Sequence, residues 1–269
     1  MKQLFSIENN NSGSGQLILS LRLGKRHAGF AITNKTGLEL YQLAYCAINE
    51  LSENEIAEFL SSYPCLQNSF YEVQVVYDSE QSVLISSKNY KQEDAGLLLS
   101  MTAGNNGHVN IVSELIAEWQ LYNVYAVPQE IQEYLLKKFP AAGFRHQYSL
   151  GIKNAETTAT TGSMTVDFRP DDFTAIIAKA GKILLVKTFE YSTPEDVLYY
   201  LLKTCQQFSL SQQEVQLKLS GLVDKQSSLY KELYQYFIQI EFREASWNAG
   251  NDYPAHFFTS LNDLAKCAL

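Results

Sequence analysis

The residue types best suited to chemistry gather in one cationic stretch, "LSLRLGKRHAGF" (residues 19–30), where Arg22, Lys25, Arg26 and His27 surround Gly24. Guanidinium forks and backbone N–H groups at a turn suit phosphate or another anion, and the same residues also make an ordinary solvated hairpin tip. In "TVDFRPDDF" (residues 165–173), Asp171 and Asp172 could chelate a cation, yet such a pair ahead of a strand is commonly turn chemistry. His108 and His256 have no carboxylate or Cys at a supporting spacing, and His27 and His146 are weaker candidates still. His256, inside "YPAHFF", reads as a packed histidine with a satisfied ring N–H rather than a base. None of Cys46, Cys65, Cys205 and Cys267 forms a C-x-x-C pair, which argues against zinc. "GNNG" (104–107) lacks the following Lys-Ser/Thr of a phosphate loop, "NSGSG" follows no strand, and no G-x-S-x-G occurs. No catalytic residue and no metal site is therefore assigned.

Bulk properties narrow the field. The chain has 269 residues, 46% hydrophobic and 19% charged, enough to bury one large core or two smaller ones. A net charge of −8 without any basic run is not the footprint of a nucleic-acid binder. No apolar run is long enough for a membrane helix, and the N-terminus has no signal-peptide core. Scattered thiols fit a reducing cytoplasm. Residues 1–16, with "NNNSGSG", read as a mobile tail.

The elements that would position these residues form one unit written twice. "LILSLRL" (17–23), "GFAIT" (29–33) and "LELYQLAY" (38–45) alternate as strands, with "NKTG" turning between the last two. "SMTVDF" (163–168), "FTAII" (173–177) and "ILLVKTFEY" (183–191), the last two flanking "AKAG", repeat that meander. A capped helix follows each. Ser52 with Glu55 spells a capping box ahead of Ile56, Phe59 and Leu60. Thr193, Pro194 and Asp196 do the same ahead of Val197, Leu198, Leu201, Leu202, Cys205 and Phe208. "YEVQVVY" (71–77) and "EVQLKLSG" (214–221) then supply a further strand, expected to pair in parallel within a mixed sheet. Spacing predicts helices over 111–122 and 128–139, a short strand between them, and a C-terminal helix within 256–269. Tyr191, Tyr199 and Tyr200 read either as a partner surface or as the lining of a helix–sheet core.

Two meanders, each followed by helix and strand, resemble the actin-like ATPase fold of actin, Hsp70 chaperones and sugar kinases. "FEYSTPEDVLYYLL", "LSG" (219–221), "YPAHFF" and the late Cys267 resemble an uncharacterised bacterial family of unknown function with that fold. The resemblance implies an α/β chain of duplicated actin-like, ribonuclease H-like lobes, each a mixed sheet with a three-stranded antiparallel meander plus helices. The first lobe would span 17–160 and the second, with the C-terminal helix, 161–269.

Actin-like ATPases clamp phosphate with Asp-x-Gly at each first hairpin. The carboxylate holds metal or its waters, and the Gly lets the backbone approach phosphate. Here Arg22-Leu23-Gly24, followed by Lys25, keeps the Gly and replaces the acid by a cation. Asp167-Phe168-Arg169 keeps the acid and puts Arg in the Gly slot, and Ser220-Gly221 stands for the adenosine-side Gly pair. The resemblance thus implies a degenerate nucleotide cleft, with ATP and magnesium disfavoured. The expectation is a non-catalytic, cytoplasmic scaffold or adaptor, a pseudo-ATPase that binds a protein partner. A homo-oligomer is compatible with the sequence. One alternative is a sensor that binds nucleotide or anion without turnover. Another is an ATPase or phosphotransferase with a rearranged site, Asp167 holding metal and Arg22 taking γ-phosphate charge.

Overall fold

The computed structural model describes all residues except 10–14, 104–107, 157, 248–252 and 268–269. The first half opens with β1 (Lys2–Glu8), then the meander β2 (Leu17–Gly24), β3 (His27–Asn34) and β4 (Leu40–Ala47). Strand β1 pairs antiparallel with β4, so Lys2–Glu8 belong to the sheet instead of the expected tail. Its alternation of buried Phe5 and Ile7 with the less buried Leu4, Ser6 and Glu8 is the reason. Of the "NNNSGSG" stretch, residues 10–14 lie outside the described residues.

Helix α1 (Glu53–Ser62) buries the predicted Ile56, Phe59 and Leu60. Ser52 caps it by accepting from the Glu55 N–H, but the Glu55 carboxylate accepts instead from Asn49 Nδ2 at 2.7 Å, so the box is half made. Strand β5 (Glu72–Asp78) follows and pairs in parallel with β2. Next come β6 (Ser82–Ser86), α2 (Ala95–Ala103), β7 (Val109–Ile116) and β8 (Leu121–Pro128), with β6, β8 and β7 forming a separate three-stranded sheet. The helix predicted over 111–122 is thus two strands. Both faces of β7 carry apolar residues, Ile111 and Leu115 on one and Val112 and Ile116 on the other, and this imitates helical spacing. Gln120 makes the turn between them in the left-handed region at φ +51°. Helix α3 (Gln129–Lys138) starts after Pro128 and ends on Lys137 and Lys138, as its sequence predicts. Strand β9 (Gly143–His146), parallel to β5, and helix α4 (Gln147–Lys153) complete this half.

The second half runs β10 (Ser163–Phe168), β11 (Asp172–Lys179), β12 (Lys182–Glu190), α5 (Pro194–Phe208), β13 (Gln216–Gly221), α6 (Ser228–Tyr236) and β14 (Ile240–Phe242). The Thr193–Asp196 capping box is complete. Its sheet order, β12-β11-β10-β13-β14, matches β4-β3-β2-β5-β9 of the first sheet, strand for strand. The first sheet has one strand more, β1, beyond β4.

The chain divides into two compact units, Met1–Lys153 with Trp247–Asn251 and Leu261–Leu269, and Asn154–Ser246 with Asp252–Ser260. The C-terminal helix α7 (Thr259–Lys266), expected with the second lobe, therefore gives its length from Leu261 onward to the first unit. Leu264 packs there with Val76 and Leu150. Gly37, at φ +65°, would place a Cβ 2.7 Å from the Ala265 carbonyl, so helix and turn fit only because no side chain stands between them. In the first unit α1 and α3 cover one sheet face around Leu21, Val75, Phe59 and Ile131. In the second, α5 and α6 cover the equivalent core around Val166, Phe173, Leu201 and Leu233. No helix among the described residues is long and apolar enough to cross a membrane.

Candidate functional site

Strands β2 and β3 are joined by the two-residue turn Lys25–Arg26, both exposed, and parallel pairing sets Gly24 beside Asp78 at the end of β5. That register brings together residues far apart in sequence. Arg22 donates from Nε to Asp78 Oδ2 at 2.6 Å, and its Nη2 lies 2.6 Å from the same oxygen. His27 Nε2 reaches that oxygen at 2.9 Å. All three side chains are buried. A carboxylate held by a guanidinium accepts, so Nε2 carries the proton. His27 stacks on Tyr45 at 5.5 Å, and Tyr45 stacks on Phe5 of β1. The imidazole also fills the space over Gly24, where a Cβ would lie 2.1 Å from its Cε1. Gly24 thus makes room for a side chain of its own hairpin.

The second unit repeats the arrangement with different residues. Arg169, 1% exposed, bonds the Asp172 carboxylate through Nε and donates from Nη2 to Thr174 Oγ1 at 2.9 Å. Its Nη1 lies 3.7 Å from Asp167 Oδ2. Asp167 Oδ1 accepts from Ser220 Oγ at 2.8 Å across the β10–β13 pair. The Arg169 carbonyl accepts from the Tyr191 hydroxyl at 2.9 Å, and the Asp171 and Asp172 carboxylates help burial push that phenol up to about 12. Gly221, at φ +77°, would set a Cβ 2.1 Å from the Phe168 carbonyl, so its glycine is required by the neighbouring strand.

The expected site residues thus fall into two local groups, Arg22, Gly24 and Lys25 in one unit and Asp167, Arg169, Ser220 and Gly221 in the other. Sequence reasoning missed Asp78, 56 residues from Arg22, together with Thr174 and the acceptor role of Asp172. The only linear signal for Asp78 was an acid closing the strand "YEVQVVYD". His256 Nε2 donates to the Val223 carbonyl at 2.6 Å and the ring stacks on Phe242 at 4.0 Å, packed as its context predicts. His146 Nδ1 accepts the Tyr148 N–H at 3.1 Å, and burial lowers its pKa to about 4 despite the Asp78 carboxylate. Tyr200 stacks on Phe189 at 4.5 Å along the helix–sheet core, whereas Tyr199 is exposed. A groove of about 440 Å³ in the first unit, lined by Gln67, Phe70, Glu72, Val73 and Lys138, lies at the opposite end of β5 from Asp78. Among the described residues no three His, Cys, Asp or Glu side chains are grouped to hold a metal ion.

A family model described as "Protein of unknown function (DUF3822)" matches residues 6–240. The chain belongs to the DUF3822 family. No curated protein sequence matches it significantly. This DUF3822 chain is similar in structure to a Bacteroides thetaiotaomicron protein with an actin-like ATPase fold and unknown function, at TM-score 0.76 and 19% identity, covering 96% of this chain and 99% of that one. It is also similar to the PilM–PilN type IV pilus biogenesis complex (TM-score 0.55, 13% identity, 93% and 98% covered). A third likeness is to the ethanolamine utilization protein EutJ from Carboxydothermus hydrogenoformans (TM-score 0.53, 7% identity, 95% and 91% covered). At these identities the likenesses establish the fold: the DUF3822 chain has the actin-like ATPase fold.

Proposed function

We propose that this chain is a non-catalytic scaffold, a pseudo-ATPase that works by presenting a protein-binding surface. One observation carries the reading: the Arg22 guanidinium is buried against Asp78, which His27 also binds, where the fold's first clamp would meet phosphate. Exchanging that carboxylate for a triphosphate would strand Asp78 in a low-dielectric site, which costs several kcal/mol. The imidazole over Gly24 occupies the approach that the glycine would otherwise open to a phosphate oxygen. In the second unit Arg169 stands in the glycine slot and binds Asp172, while Asp167 is held by Ser220. Residues arranged this way do not fit magnesium–ATP, and no reaction step is assigned to it. The matched strand order of the two sheets supports reading the units as copies of one ancestral unit. Protein assembly on this fold has a precedent in the PilM–PilN complex.

Isothermal titration and thermal shift with Mg–ATP, Mg–ADP and inorganic phosphate test the reading. No binding heat, no stabilisation and no ATP turnover are expected, together with a specific partner recovered from cell lysate by the tagged chain. Micromolar Mg–ATP binding overturns the proposal. Stabilisation by nucleotide without turnover would favour a sensor instead, because a ligand bound only to the folded state raises its stability by mass action.

A further inference from the structure

The two sheets share one strand order but not one edge. In the first unit the outer side of β4 is covered by β1, which pairs antiparallel from Lys2↔Ala47 to Glu8↔Gln42. In the second, the equivalent strand β12 ends the sheet, and no strand among the described residues lies beyond it. It is nine residues long, contains no Pro, and leaves Ile183, Leu184, Leu185 and Val186 only half-buried. A long apolar edge of this kind is a template for another strand. We propose that a second copy of this chain fills it, β12 pairing antiparallel with its symmetry mate in a two-fold dimer.

The charges of the strand favour its own copy. Lys182 opens β12 and Glu190 closes it, both exposed. The preceding strand strengthens each end, since Lys179 stands opposite Lys182 and Asp172 opposite Glu190. Antiparallel pairing centred on Val186 brings each Lys182 towards the Glu190 of the other copy, across the bulge that β12 carries at Leu184, where Leu185 faces Ile177 and Ile183 faces Ala178. Next to Val186 the same register puts Leu185 opposite Lys187, a contact that occurs twice. Lys187 lies over the Phe189 ring at 5.4 Å, so its charge can be directed to the sheet face and away from the strand edge. A parallel arrangement would set Lys182 against Lys182 and Glu190 against Glu190. The first unit shows that this fold accepts an antiparallel strand at the corresponding place. The dimer joins two five-stranded sheets edge to edge and is independent of the scaffold reading.

Sedimentation of the full chain over micromolar concentrations tests it. A monomer–dimer equilibrium is expected. Lys182→Glu or Glu190→Lys should each raise the dimer Kd about tenfold, because two like-charge pairs replace two attractive ones. The double reversal should restore the Kd. Circular dichroism confirms that each variant is folded. As a second measurement, Val186→Cys should give a disulfide-linked dimer on treatment with diamide. A chain that stays monomeric throughout, single reversals without effect, a double variant without rescue, or no cross-link at position 186 overturns the proposal.

Discussion

A single oxygen of Asp78 takes both Nε and Nη2 of Arg22 at 2.6 Å, tying the ends of two parallel strands, β2 and β5, inside the first unit. Removing the acid should therefore be felt as lost stability. Asp78→Ala leaves a guanidinium only 3% exposed without its carboxylate and should cost about 3–5 kcal/mol in urea denaturation. The double variant Arg22→Met/Asp78→Leu should recover part of that loss, because the buried charge is gone while His27 still loses its bond to Asp78. A double variant as unstable as Asp78→Ala alone would contradict the account.

Gly24→Ala should destabilise by about 1–3 kcal/mol, since the new methyl must displace the His27 ring and with it the bond to Asp78. His27→Ala empties that space. The two substitutions together should therefore cost less than the sum of each alone, as read by thermal denaturation.

Gly221→Ala should be worse than Gly24→Ala, about 3 kcal/mol or more. Its methyl would meet the Phe168 backbone instead of a movable ring, at a φ of +77° that a side chain disfavours. Equal melting temperatures for the two variants would refute the distinction.

Much of the fold was legible because its signals are short-range. The caps at Ser52 and Thr193, the turn glycines Gly37 and Gly181, and the apolar stripes of α1 and α5 lie within a few residues of what they determine. The site was half legible. Arg22 and Arg169 could be seen to replace an acid and a glycine, but not what they bind. Asp78 reaches Arg22 only through the parallel register of β2 and β5, which no local pattern encodes. The two apolar faces of strand β7 imitate helical spacing. Strand β1 was hidden by the polar stretch that follows it.

Acid should weaken the protein through His146. Its folded pKa is near 4, against about 6.5 in an unfolded chain, so between these values the unfolded state binds the extra proton. Stability is thus retained above pH 6.5 and falls as pH drops towards 4, by about 3 kcal/mol for the full window. His256, also lowered by burial, acts in the same direction. His146→Gln should flatten the pH profile of urea unfolding between pH 6.5 and 4; an unchanged slope would remove His146 as the cause.

The placement of Leu264 against Val76 and Leu150 has a consequence for biosynthesis. The ribosome must deliver all of α5, α6 and their strands before the first unit receives the helix that completes its packing. Nascent chains arrested before residue 261 would expose that patch, and the earliest-made half would be the last to mature.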